Sequence, residues 1–532
     1  MLYFIPAWYK QNSWRESEQT WYSVRTRTEF DDTVKHVQLF HRSKVYPYEI
    51  MLLSYAPNFR HFLHRQSIFH APYWSCFDAI QEVERKKISL FSFHSLNWPK
   101  HIEYVYTPFA IVAILKGQKY AQIEFGEDGN MIQVDIYKEG VIERRNIYDD
   151  RGFVSSTIVY DENRQLYQDY LTDKGVWKIR EFSDGHVEVN PNHNSYLIKY
   201  KGQEIVKKFS NMSYCSIGEV IGEVTLTYIN CIDEQDIVCV AMHQLNDYIL
   251  NNVLSSKKSI LSFYEKRYDM SVEGLSKDII KKADYIITDY QNNYEAVKRI
   301  SKKHADSVVK ITPFDSRVDF GISQQLNVQK IMVPVDGIGE EKFEYLIKNL
   351  GVYLLKNDDA QIHLFTRRAG NKRKTDLLQL AVKYLRKYGF REEWAMDERF
   401  NKRPTDLLND TEFIPTRFFV EQCVDELSVS KCIREQRIVV DMRAETELYL
   451  RIMGISVGIP QIVYDDTEFV ENNKNGMVIK EFSKLPEAID FYLGSLKNWN
   501  EAMVYSYELG KNYTTEVLID KWKEVIEFVE GN

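Results

Sequence analysis

The chain has 532 residues, enough for about two to four domains of ordinary size. Hydrophobic residues make up 44% and charged residues 27%, which argues against a mostly disordered or a fibrous protein. The formal net charge of −8 argues against a general nucleic-acid binder, because phosphate binding needs a surplus of cations. The longest apolar stretch, 106–115, is well short of the ~20 residues that a membrane span needs, and the N-terminus does not have the pattern of a signal peptide.

The first segment, residues 1–116, has the pattern of a mixed α/β domain. Short apolar runs predict strands, and polar stretches with helical spacing lie between them, which indicates a mostly parallel, covered sheet. The predicted strands are 2–9, 36–40, 49–55 and 87–93.

Residues 117–212 have a different pattern. Strands recur about every ten residues, and Asp-Gly, Glu-Gly and Lys-Gly turns join them, which is the pattern of β-hairpins. The segment is therefore predicted to be an antiparallel β-meander inserted between two α/β stretches. Its alternation of Tyr, Glu and Arg with apolar residues predicts one face in water, and its free edges suggest a surface for a partner protein.

The α/β pattern resumes at residue 213 and continues into a second α/β domain. Predicted strands are 236–242, 259–264, 283–289, 308–314, 330–335, 361–367, 437–442 and 460–465, and an amphipathic helix covers 516–530. The resulting domain prediction is a discontinuous N-terminal Rossmann-like lobe (1–116 and 213–325), an inserted β-sheet domain (117–212), a C-terminal Rossmann-like lobe (326–512), and a terminal helix (513–532) packing on the N-terminal lobe.

Several motifs that would indicate a catalytic or metal site are missing. The six cysteines include no CxxC pair and predict no disulfide framework, so a reduced cytoplasm is the expected setting. The sequence contains no GxSxG, HExxH or Walker A motif. His61 and His64 are three residues apart on a predicted helix, but no acidic or cysteine partner accompanies them, so no metal site is expected.

Two α/β lobes and a terminal helix resemble the GT-B glycosyltransferases. The segments similar to that family are ADYIITDYQNNYEAV, VKITPFDSRVDFG, KIMVPVDGIGEEKFEYLIKNL and RAETELYLRIMGISVGIPQIVYDDTEFVENNKNGMVI. The β-meander is similar to the β-sheet extension of the bacterial enzymes that initiate O-GlcNAc addition on serine-rich-repeat adhesins. The resemblance predicts an α/β, GT-B-like fold of two Rossmann-type lobes with the meander inserted in the N-terminal lobe.

The resemblance also predicts where a donor site would lie. Retaining GT-B enzymes place an Arg and a Lys at the start of the donor lobe to neutralise the diphosphate, and two glutamates spaced E-x7-E on the following site helix. Lys342 and Glu445 match this pattern, but Gly337 stands at the arginine position and Met453, or Arg451 in a gapped alignment, at the second glutamate. The expected glycine-rich loop after the first strand is also missing. We therefore predict no catalytic residues and no cofactor, only a vestigial donor pocket of Gly337, Lys342, Arg367, Arg368, Glu445, Met453 and Ser456.

Other residues leave two interpretations open. Lys342 and Glu445 are also ordinary helix formers. The run from Arg367 to Lys374 has five cations in eight residues and suits a phosphate or an acidic partner, or is a solvated loop. His94 and His243 follow predicted strands where an acceptor-lobe base would stand, or are hydrogen-bonded structural residues. The aromatic segments 7–22 and 70–77 suit sugar binding or core packing.

The N-terminal stretch is more specific. MLYFIPAWY and EFDDTVKHVQLFHR resemble the family of the first of three accessory secretion (Asp) proteins of the accessory Sec system in streptococci. The family implies a cytosolic complex with the second and third Asp proteins that works with the accessory SecA motor to export glycosylated serine-rich-repeat adhesins, and it allows peripheral membrane association through the translocase. The lead hypothesis is a non-catalytic scaffold that also contacts substrate glycan. The alternatives are an active GT-B enzyme using a nucleotide sugar and a lectin-like module, and Gly337 and Met453 argue against the enzyme.

Overall fold

The structure, a computed structural model, describes residues 1–10, 13–15, 20, 22, 30–89, 91–269, 275–300, 307–396, 414–444 and 447–531. The chain divides into two compact units. The first comprises Met1–Ser23, Asp31–Lys310 and Lys523–Asn532, and the second comprises Val24–Phe30 and Ile311–Trp522.

A seven-stranded parallel sheet forms the core of the first unit. Its strands are β1 (Leu2–Ile5), β2 (Tyr48–Leu52), β3 (Tyr73–Ser75), β16 (Ile237–Ala241), β17 (Lys258–Phe263), β18 (Tyr285–Thr288) and β19 (Val308–Lys310). Their spatial order is β19-β18-β17-β16-β1-β2-β3. β1, β16, β17 and β18 are almost continuously buried, as expected of a parallel sheet covered on both faces. The helices of this unit are α1 (Asp32–Ser43), α2 (Phe59–Arg65), α3 (Cys76–Ile80), α4 (Ile217–Ile229), α5 (Asp247–Ser256), α6 (Leu275–Lys282) and α7 (Gln291–Ile300).

The prediction of a strand at 36–40 is wrong, because these residues belong to α1. Val34, Val37 and Phe40 recur every three residues and are all buried, which places them on one face of a helix. The carboxylate of Asp31 caps the helix by accepting hydrogen bonds from the amides of Thr33 and Val34. The helical spacing of the buried residues and the Asp31 cap therefore specify a helix at 36–40, where the apolar run alone predicts a strand.

The prediction of a strand at 87–93 is also wrong for the residues of this segment that the structure describes, which form no strand. The Ser89 amide donates to the Asp150 carbonyl oxygen, and Phe91 and Phe93 pack against the apolar cluster of the neighbouring antiparallel sheet. Residues 93–95 form a single 3₁₀ turn. The apolar side chains of this segment therefore pack against the sheet and do not form a strand. The third strand along the chain is β3, at Tyr73–Ser75.

The predicted meander forms a ten-stranded antiparallel sheet. Its strands are β4 (Glu103–Tyr106), β5 (Ile111–Leu115), β6 (Gln118–Phe125), β7 (Met131–Lys138), β8 (Val141–Asp149), β9 (Phe153–Asp161), β10 (Arg164–Leu171), β11 (Trp177–Phe182), β12 (Val187–Val189) and β15 (Ser213–Tyr214). Their spatial order is β15-β12-β11-β10-β9-β8-β7-β6-β5-β4. A hairpin of β13 (Ser195–Tyr200) and β14 (Gln203–Lys208) accompanies the sheet. Gly140 and Gly185, in two of the turns, have φ of 83° and 95°, which few other residues adopt.

A group of largely buried ion pairs joins this antiparallel sheet to helices α2 and α3 of the same unit. Arg151, which follows β8, is 2.7 Å from Asp78 on α3 and 2.7 Å from Asp149. Arg60 on α2 also pairs with Asp149, at 3.2 Å, and with Asp150. Each guanidinium contacts two carboxylates, so the charges are compensated within the first unit.

A six-stranded parallel sheet forms the core of the second unit. Its strands are β20 (Gln329–Pro334), β21 (Ala360–Thr366), β22 (Phe418–Gln422), β23 (Ile438–Asp441), β24 (Gln461–Val463) and β25 (Gly476–Val478). Their spatial order is β22-β21-β20-β23-β24-β25. The helices are α8 (Glu340–Leu354), α9 (Asn371–Lys387), α10 (Glu426–Arg434), α11 (Leu448–Val457), α12 (Leu485–Leu493), α13 (Leu496–Gly510) and α14 (Thr515–Gly531).

Helix α14 begins in the second unit and ends in the first. In the first unit, the ring of Phe528 contacts Tyr285 edge-to-face at 5.1 Å. The ammonium of Lys258 donates to the carbonyl oxygens of Val529 and Glu530, both at 2.9 Å. A cation at the end of a helix compensates its unpaired carbonyls, so Lys258 stabilises the end of α14.

Candidate functional site

The site predicted from sequence lies at the carboxyl edge of the six-stranded sheet. Strands β20, β21 and β23 are neighbours in this parallel sheet, so the residues that follow them meet at one edge. The residues brought together there are Asp336 and Gly337 after β20, Arg367 and Arg368 after β21, and Asp441 and Arg443 at the end of β23.

Asp336 is the centre of the first half of this edge. Its carboxylate accepts hydrogen bonds from the Thr366 hydroxyl at 2.8 Å, the Arg367 amide at 2.7 Å and the Arg373 guanidinium at 2.9 Å. The more exposed Arg368 approaches it at 4.0 Å. These three donors all come from the chain itself, and they hold the β20 and β21 loops together.

Gly337 turns the β20 loop with φ of 81°, in the left-handed region. A Cβ atom at this position would meet nothing within 4 Å. An arginine there would therefore have room but would need a backbone conformation that costs a side-chain-bearing residue roughly 1 kcal/mol or more. The backbone conformation at this position therefore favours glycine.

Arg367 is covered by aromatic rings. Its guanidinium carbon lies 3.7 Å from the ring centroid of Phe30, which belongs to the short segment of the second unit that precedes α1. The same guanidinium pairs with Glu447 at 3.2 Å and donates to the Cys423 carbonyl oxygen at 3.3 Å. Phe30 also packs edge-to-face on Tyr449, at 5.0 Å. Cation–π contact and an ion pair together fix this arginine.

Asp441 is the centre of the second half of the edge and is completely buried. Arg443 binds both of its oxygens, at 2.8 and 2.9 Å, and Arg451 binds one at 2.6 Å. Burial alone would raise the pKa of Asp441, but the two guanidinium groups outweigh it and the pKa is lowered. Arg451, the alternative residue at the second glutamate position, is 1% exposed and is thus a structural partner of Asp441.

The other predicted site residues are more dispersed. The Lys342 ammonium, on α8, lies 4.2 Å from the ring centroid of Tyr464. Met453 is half-buried on α11. Ser456, in the last turn of α11, accepts from the Arg317 amide and contacts the Ser316 hydroxyl, so it holds the segment that precedes β20. Glu445 lies outside the described residues.

The run from Arg367 to Lys374 divides into two parts. Arg367 and Arg368 lie in the loop after β21, whereas Lys372, Arg373 and Lys374 lie in the first turn of α9. Arg373 binds Asp336, and Lys372 and Lys374 lie on the solvent side of this turn.

The two candidate histidines of the first unit differ in environment. His94 is exposed in the 3₁₀ turn beside Phe93. His243 follows β16, and its Nδ1 accepts a hydrogen bond from the Leu245 amide at 3.1 Å, which places the proton of the neutral ring on Nε2. Burial, with a smaller effect of Arg267, lowers the pKa of His243 to about 4. The neutral ring therefore has no free lone pair.

A buried acidic pair that the sequence analysis missed lies at the carboxyl edge of the seven-stranded sheet. Arg267 donates to Asp31 at 2.9 Å and to Asp32 at 2.5 Å, and Ser262 donates to Asp32 at 2.7 Å. Burial opposes ionisation of Asp32, but Arg267 prevails and lowers its pKa. Burial and the charge of Asp32 raise the pKa of Asp31. The Asp-Asp-Thr sequence before α1 signals a helix cap, but nothing local points to Arg267.

The aromatic segments also have defined positions. In the described part of 7–22, Trp8 and Trp14 are buried, and the Trp8 indole donates to Asp31. In 70–77, Tyr73 and Trp74 lie on β3, and Trp74 stacks on Tyr228 at 4.2 Å.

Neither a metal-ion site nor a membrane-spanning helix is found in the part of the chain that the structure describes. On α2, His61 contacts Asp128 at 3.2 Å. Among the residues that the structure describes, no group of three or more His, Cys, Asp and Glu side chains is arranged to hold a metal ion. No helix within the described ranges has the length and apolar character to span a membrane.

Comparison with known proteins now assigns a family. The family model of the first accessory secretion (Asp) protein of the accessory Sec system matches residues 1–528. The chain belongs to this family of accessory Sec system proteins. It is 32% identical to the family's protein in Streptococcus gordonii over 98% of both chains, and 29% identical to that in Staphylococcus aureus over 99% of both. The predicted family is confirmed.

Solved structures agree with this assignment. The chain matches the Gap123 glycosylation-associated protein complex of Streptococcus agalactiae with 30% identity and a TM-score of 0.74, over 99% of this chain and 100% of the other. It matches the complex of accessory secretory proteins 1, 2 and 3 of Streptococcus pneumoniae with 26% identity and a TM-score of 0.76, over 100% of both chains.

The similarity to glycosyltransferases concerns the fold. The pneumococcal O-GlcNAc transferase GtfA matches with a TM-score of 0.67 and 12% identity, over 100% of this chain and 99% of the other. TarM matches with a TM-score of 0.63 and 13% identity, over 99% and 98%. The predicted GT-B fold is confirmed, and this family member is thus an accessory Sec system component with a GT-B-like fold.

The buried Asp441 group generates a stability prediction. Asp441→Asn leaves Arg443 and Arg451 close together without their shared carboxylate, so we expect the free energy of unfolding to fall by about 3–5 kcal/mol. Asp465→Asn is the matched control, because Asp465 is 44% exposed and its pair with Lys480 should contribute less than about 1 kcal/mol. Urea unfolding of both variants measures the difference, and equal losses would contradict the role given to Asp441.

His243 generates a pH prediction. A histidine in an unfolded chain has a pKa near 6.5, and burial lowers the pKa of His243 to about 4 in the folded protein. The folded state therefore binds fewer protons between these values, and stability falls as the pH drops from about 6.5 toward about 4. His243→Asn keeps a capping acceptor and should reduce this loss by about 1 kcal/mol at pH 5, since the ring is only partly buried.

Unfolding free energies of the wild type and the His243 variant, measured between pH 5 and pH 7.5, test this expectation. Gln244→Ala is the control, because the neighbouring residue is exposed and not ionisable. A slope against pH that is the same in the His243 variant as in the wild type would contradict the prediction.

Proposed function

We propose that this chain is a non-catalytic, GT-B-like scaffold of accessory Sec export. The observation that supports this most strongly is the occupancy of the donor edge by the chain's own side chains. Phe30 covers Arg367, the carboxylate of Asp336 is engaged by donors from β21 and α9, and Asp441 is neutralised by two arginines. A nucleotide diphosphate needs uncommitted cations close to the ends of the strands. Arg367 and Arg373 are engaged within the chain, and the more exposed cations, Arg368, Lys372 and Lys374, lie toward solvent.

The alternative function, an active glycosyltransferase using a nucleotide sugar, meets three obstacles. Gly337 stands where an arginine would bind the diphosphate, and Met453 offers no useful acceptor for a ribose hydroxyl. In the first unit, Nδ1 of His243 already accepts a backbone amide, so the neutral ring cannot take a proton from an acceptor hydroxyl. We therefore favour the scaffold, and we propose that the donor pocket is vestigial.

The proposed partners are the second and third accessory secretion proteins, because a relative that matches over the full chain length was solved in the complex of accessory secretory proteins 1, 2 and 3. We also propose that the chain contacts the accessory SecA motor and a glycosylated serine-rich-repeat adhesin. In the adhesin, it would contact the glycan. The protein would act in the cytoplasm and reach the membrane only through the translocase.

We place the partner surface at the β4 end of the ten-stranded sheet. β4 has β5 as its single neighbour in the sheet, so its outer backbone groups have no strand to pair with among the described residues. Val105 and Tyr106 are 50% and 66% exposed, and Phe109 beside them is 58% exposed. Edge strands are usually protected by lysine or proline, and β4, with the sequence EYVY, contains neither. An exposed apolar edge of this kind suits a protein partner.

The test is assembly with the purified second and third accessory secretion proteins, followed by size-exclusion chromatography and a binding titration. Wild-type chain should form a stable complex, and Tyr106→Lys should weaken it by about tenfold, because a charge replaces an aromatic contact at the edge.

Val206→Lys is the matched control. Val206 is also 66% exposed, but it lies on the β14 hairpin outside this sheet, so the variant should assemble as the wild type does. Failure of the wild type to bind either protein would contradict the scaffold function. Wild-type assembly of the Tyr106 variant would contradict the placement of the surface at β4.

A further inference from the structure

A cavity of about 530 Å³ lies within the first unit, whereas the donor edge belongs to the second. Its walls come from the β1–β2–β3 side of the parallel sheet, from α3 and α4, and from the β13–β14 hairpin. This volume is within the range of pockets for small organic ligands. Among the described residues that line it, cationic groups outnumber carboxylates. The cations are the Met1 ammonium, Arg85, Lys86, Arg151, Lys199 and Lys201, and the carboxylates are Glu49 and Asp78.

Three of these cations already have a carboxylate of the chain at ion-pair distance. The pairs are Arg151 with Asp78 and Asp149, both at 2.7 Å, the Met1 ammonium with Asp236 at 2.8 Å, and Lys201 with Asp233 at 2.6 Å. These cations therefore hold the walls of the cavity together, and they leave little charge for a ligand.

The other three cations, Arg85, Lys86 and Lys199, are bound much less completely. Arg85 donates to the Gly152 carbonyl oxygen at 2.9 Å, and Lys86 is exposed. Among the described residues, no carboxylate lies within ion-pair distance of either side chain.

Lys199, on β13, donates to the Val83 carbonyl oxygen at 3.2 Å. Its acidic neighbour is Glu204, which is 4.0 Å away and 65% exposed, so this pair is weak. Arg85, Lys86 and Lys199 therefore retain N–H donors and positive charge for a ligand.

Glu49 is the one lining carboxylate that no cation of the chain binds among the described residues. It is half-buried on β2, and the Tyr228 hydroxyl, on α4, donates a hydrogen bond to it. Burial raises the pKa of Glu49. A carboxyl group with one hydroxyl donor retains acceptor capacity. It lies on the sheet, whereas Arg85 and Lys86 follow α3 and Lys199 belongs to the hairpin, so the acid and the three cations come from different walls.

These charges favour an anionic ligand, because the lining cations that lack a close carboxylate outnumber the single free acid. A phosphate monoester carries about −1.5 to −2 charge at pH 7 and three acceptor oxygens, which suits one guanidinium and two ammonium groups. We propose that this cavity binds a phosphate monoester of a small hydroxylated compound, with the phosphate held by Arg85, Lys86 and Lys199 and a hydroxyl group donating to Glu49.

The carboxyl group of Glu49 also indicates that the ligand is water-soluble. An acyl chain packed against it would remove water from a polar group without replacing the hydrogen bond, whereas a hydroxyl group replaces it. A nucleotide sugar lacks the terminal phosphate that the three cations suit, because both of its phosphates are esterified on two sides.

The inference goes beyond the proposed function and is tested separately from it. Ligand binding is measured on the chain alone, and assembly is measured with the partner proteins. Loss of assembly through β4 would leave phosphate binding unchanged, and loss of phosphate binding would leave assembly unchanged.

The test is calorimetry on the full chain with glycerol 3-phosphate and glucose 6-phosphate, and with glycerol and glucose as their uncharged counterparts. At least one of the two esters should bind saturably at millimolar concentration or below, and inorganic phosphate should displace it. Glycerol and glucose should not bind, because they leave the three cations without an anion.

Lys86→Ala and Lys199→Ala should each weaken binding of the ester by about tenfold, because each removes a charge-assisted hydrogen bond to the phosphate. Lys86 is exposed, so its substitution does not threaten folding. Lys138→Ala is the matched control, because Lys138 is an exposed lysine on β7 that does not line the cavity. This variant should bind the ester as the wild type does.

Four results would overturn the proposal. They are no binding of either ester at millimolar concentration, binding of glycerol or glucose as tight as that of its phosphate, failure of inorganic phosphate to displace the ester, and wild-type affinity in both the Lys86 and the Lys199 variants.

Discussion

Two carboxylates, Asp336 and Asp441, are the centres of the ion pairs at the carboxyl edge of the second unit's sheet. In a parallel sheet this edge is where ligands usually bind, because loops and helix N-termini converge there. Here the two carboxylates are paired with arginines of the same chain. Arg373 binds Asp336, and Arg443 and Arg451 bind Asp441. The loops after β20, β21 and β23 are consequently held in place by the chain's own side chains.

The same interactions are consistent with our proposal that this GT-B fold has no functional donor site. The apolar core of the second unit contains strand residues such as Ile331, Leu364 and Val440, all of which lie before the edge. Their packing depends on periodicity and volume, and it does not depend on which polar residue follows each strand. Residues at the edge can therefore form contacts within the chain in place of contacts with a ligand. Arg367 illustrates this, since it is charged and well placed but is covered by Phe30.

Much of the fold was predictable from local patterns, whereas the chemistry of the site was not. The hairpins of the antiparallel sheet follow from their glycine turns, and the buried strands β16, β17 and β20 follow from short runs of mainly apolar residues. The strand predicted at 36–40 failed because the spacing of the buried α1 residues and the Asp31 cap specify a helix. The contact of Phe30 with Arg367 joins residues more than 300 positions apart, and no local pattern signals it. The same holds for Tyr228 with Glu49, since such pairs form only when the tertiary fold brings the elements together.

We propose that the donor edge does not bind a nucleotide sugar. The most direct measurement is a calorimetric titration of the purified chain with UDP-N-acetylglucosamine and UDP-glucose, with UDP release followed in the same sample in the presence of a serine-rich acceptor peptide. We expect no saturable binding and no UDP release above the uncatalysed rate. Saturable binding with catalytic release of UDP would contradict it, and it would require an anion site that Phe30 and the internal ion pairs leave open.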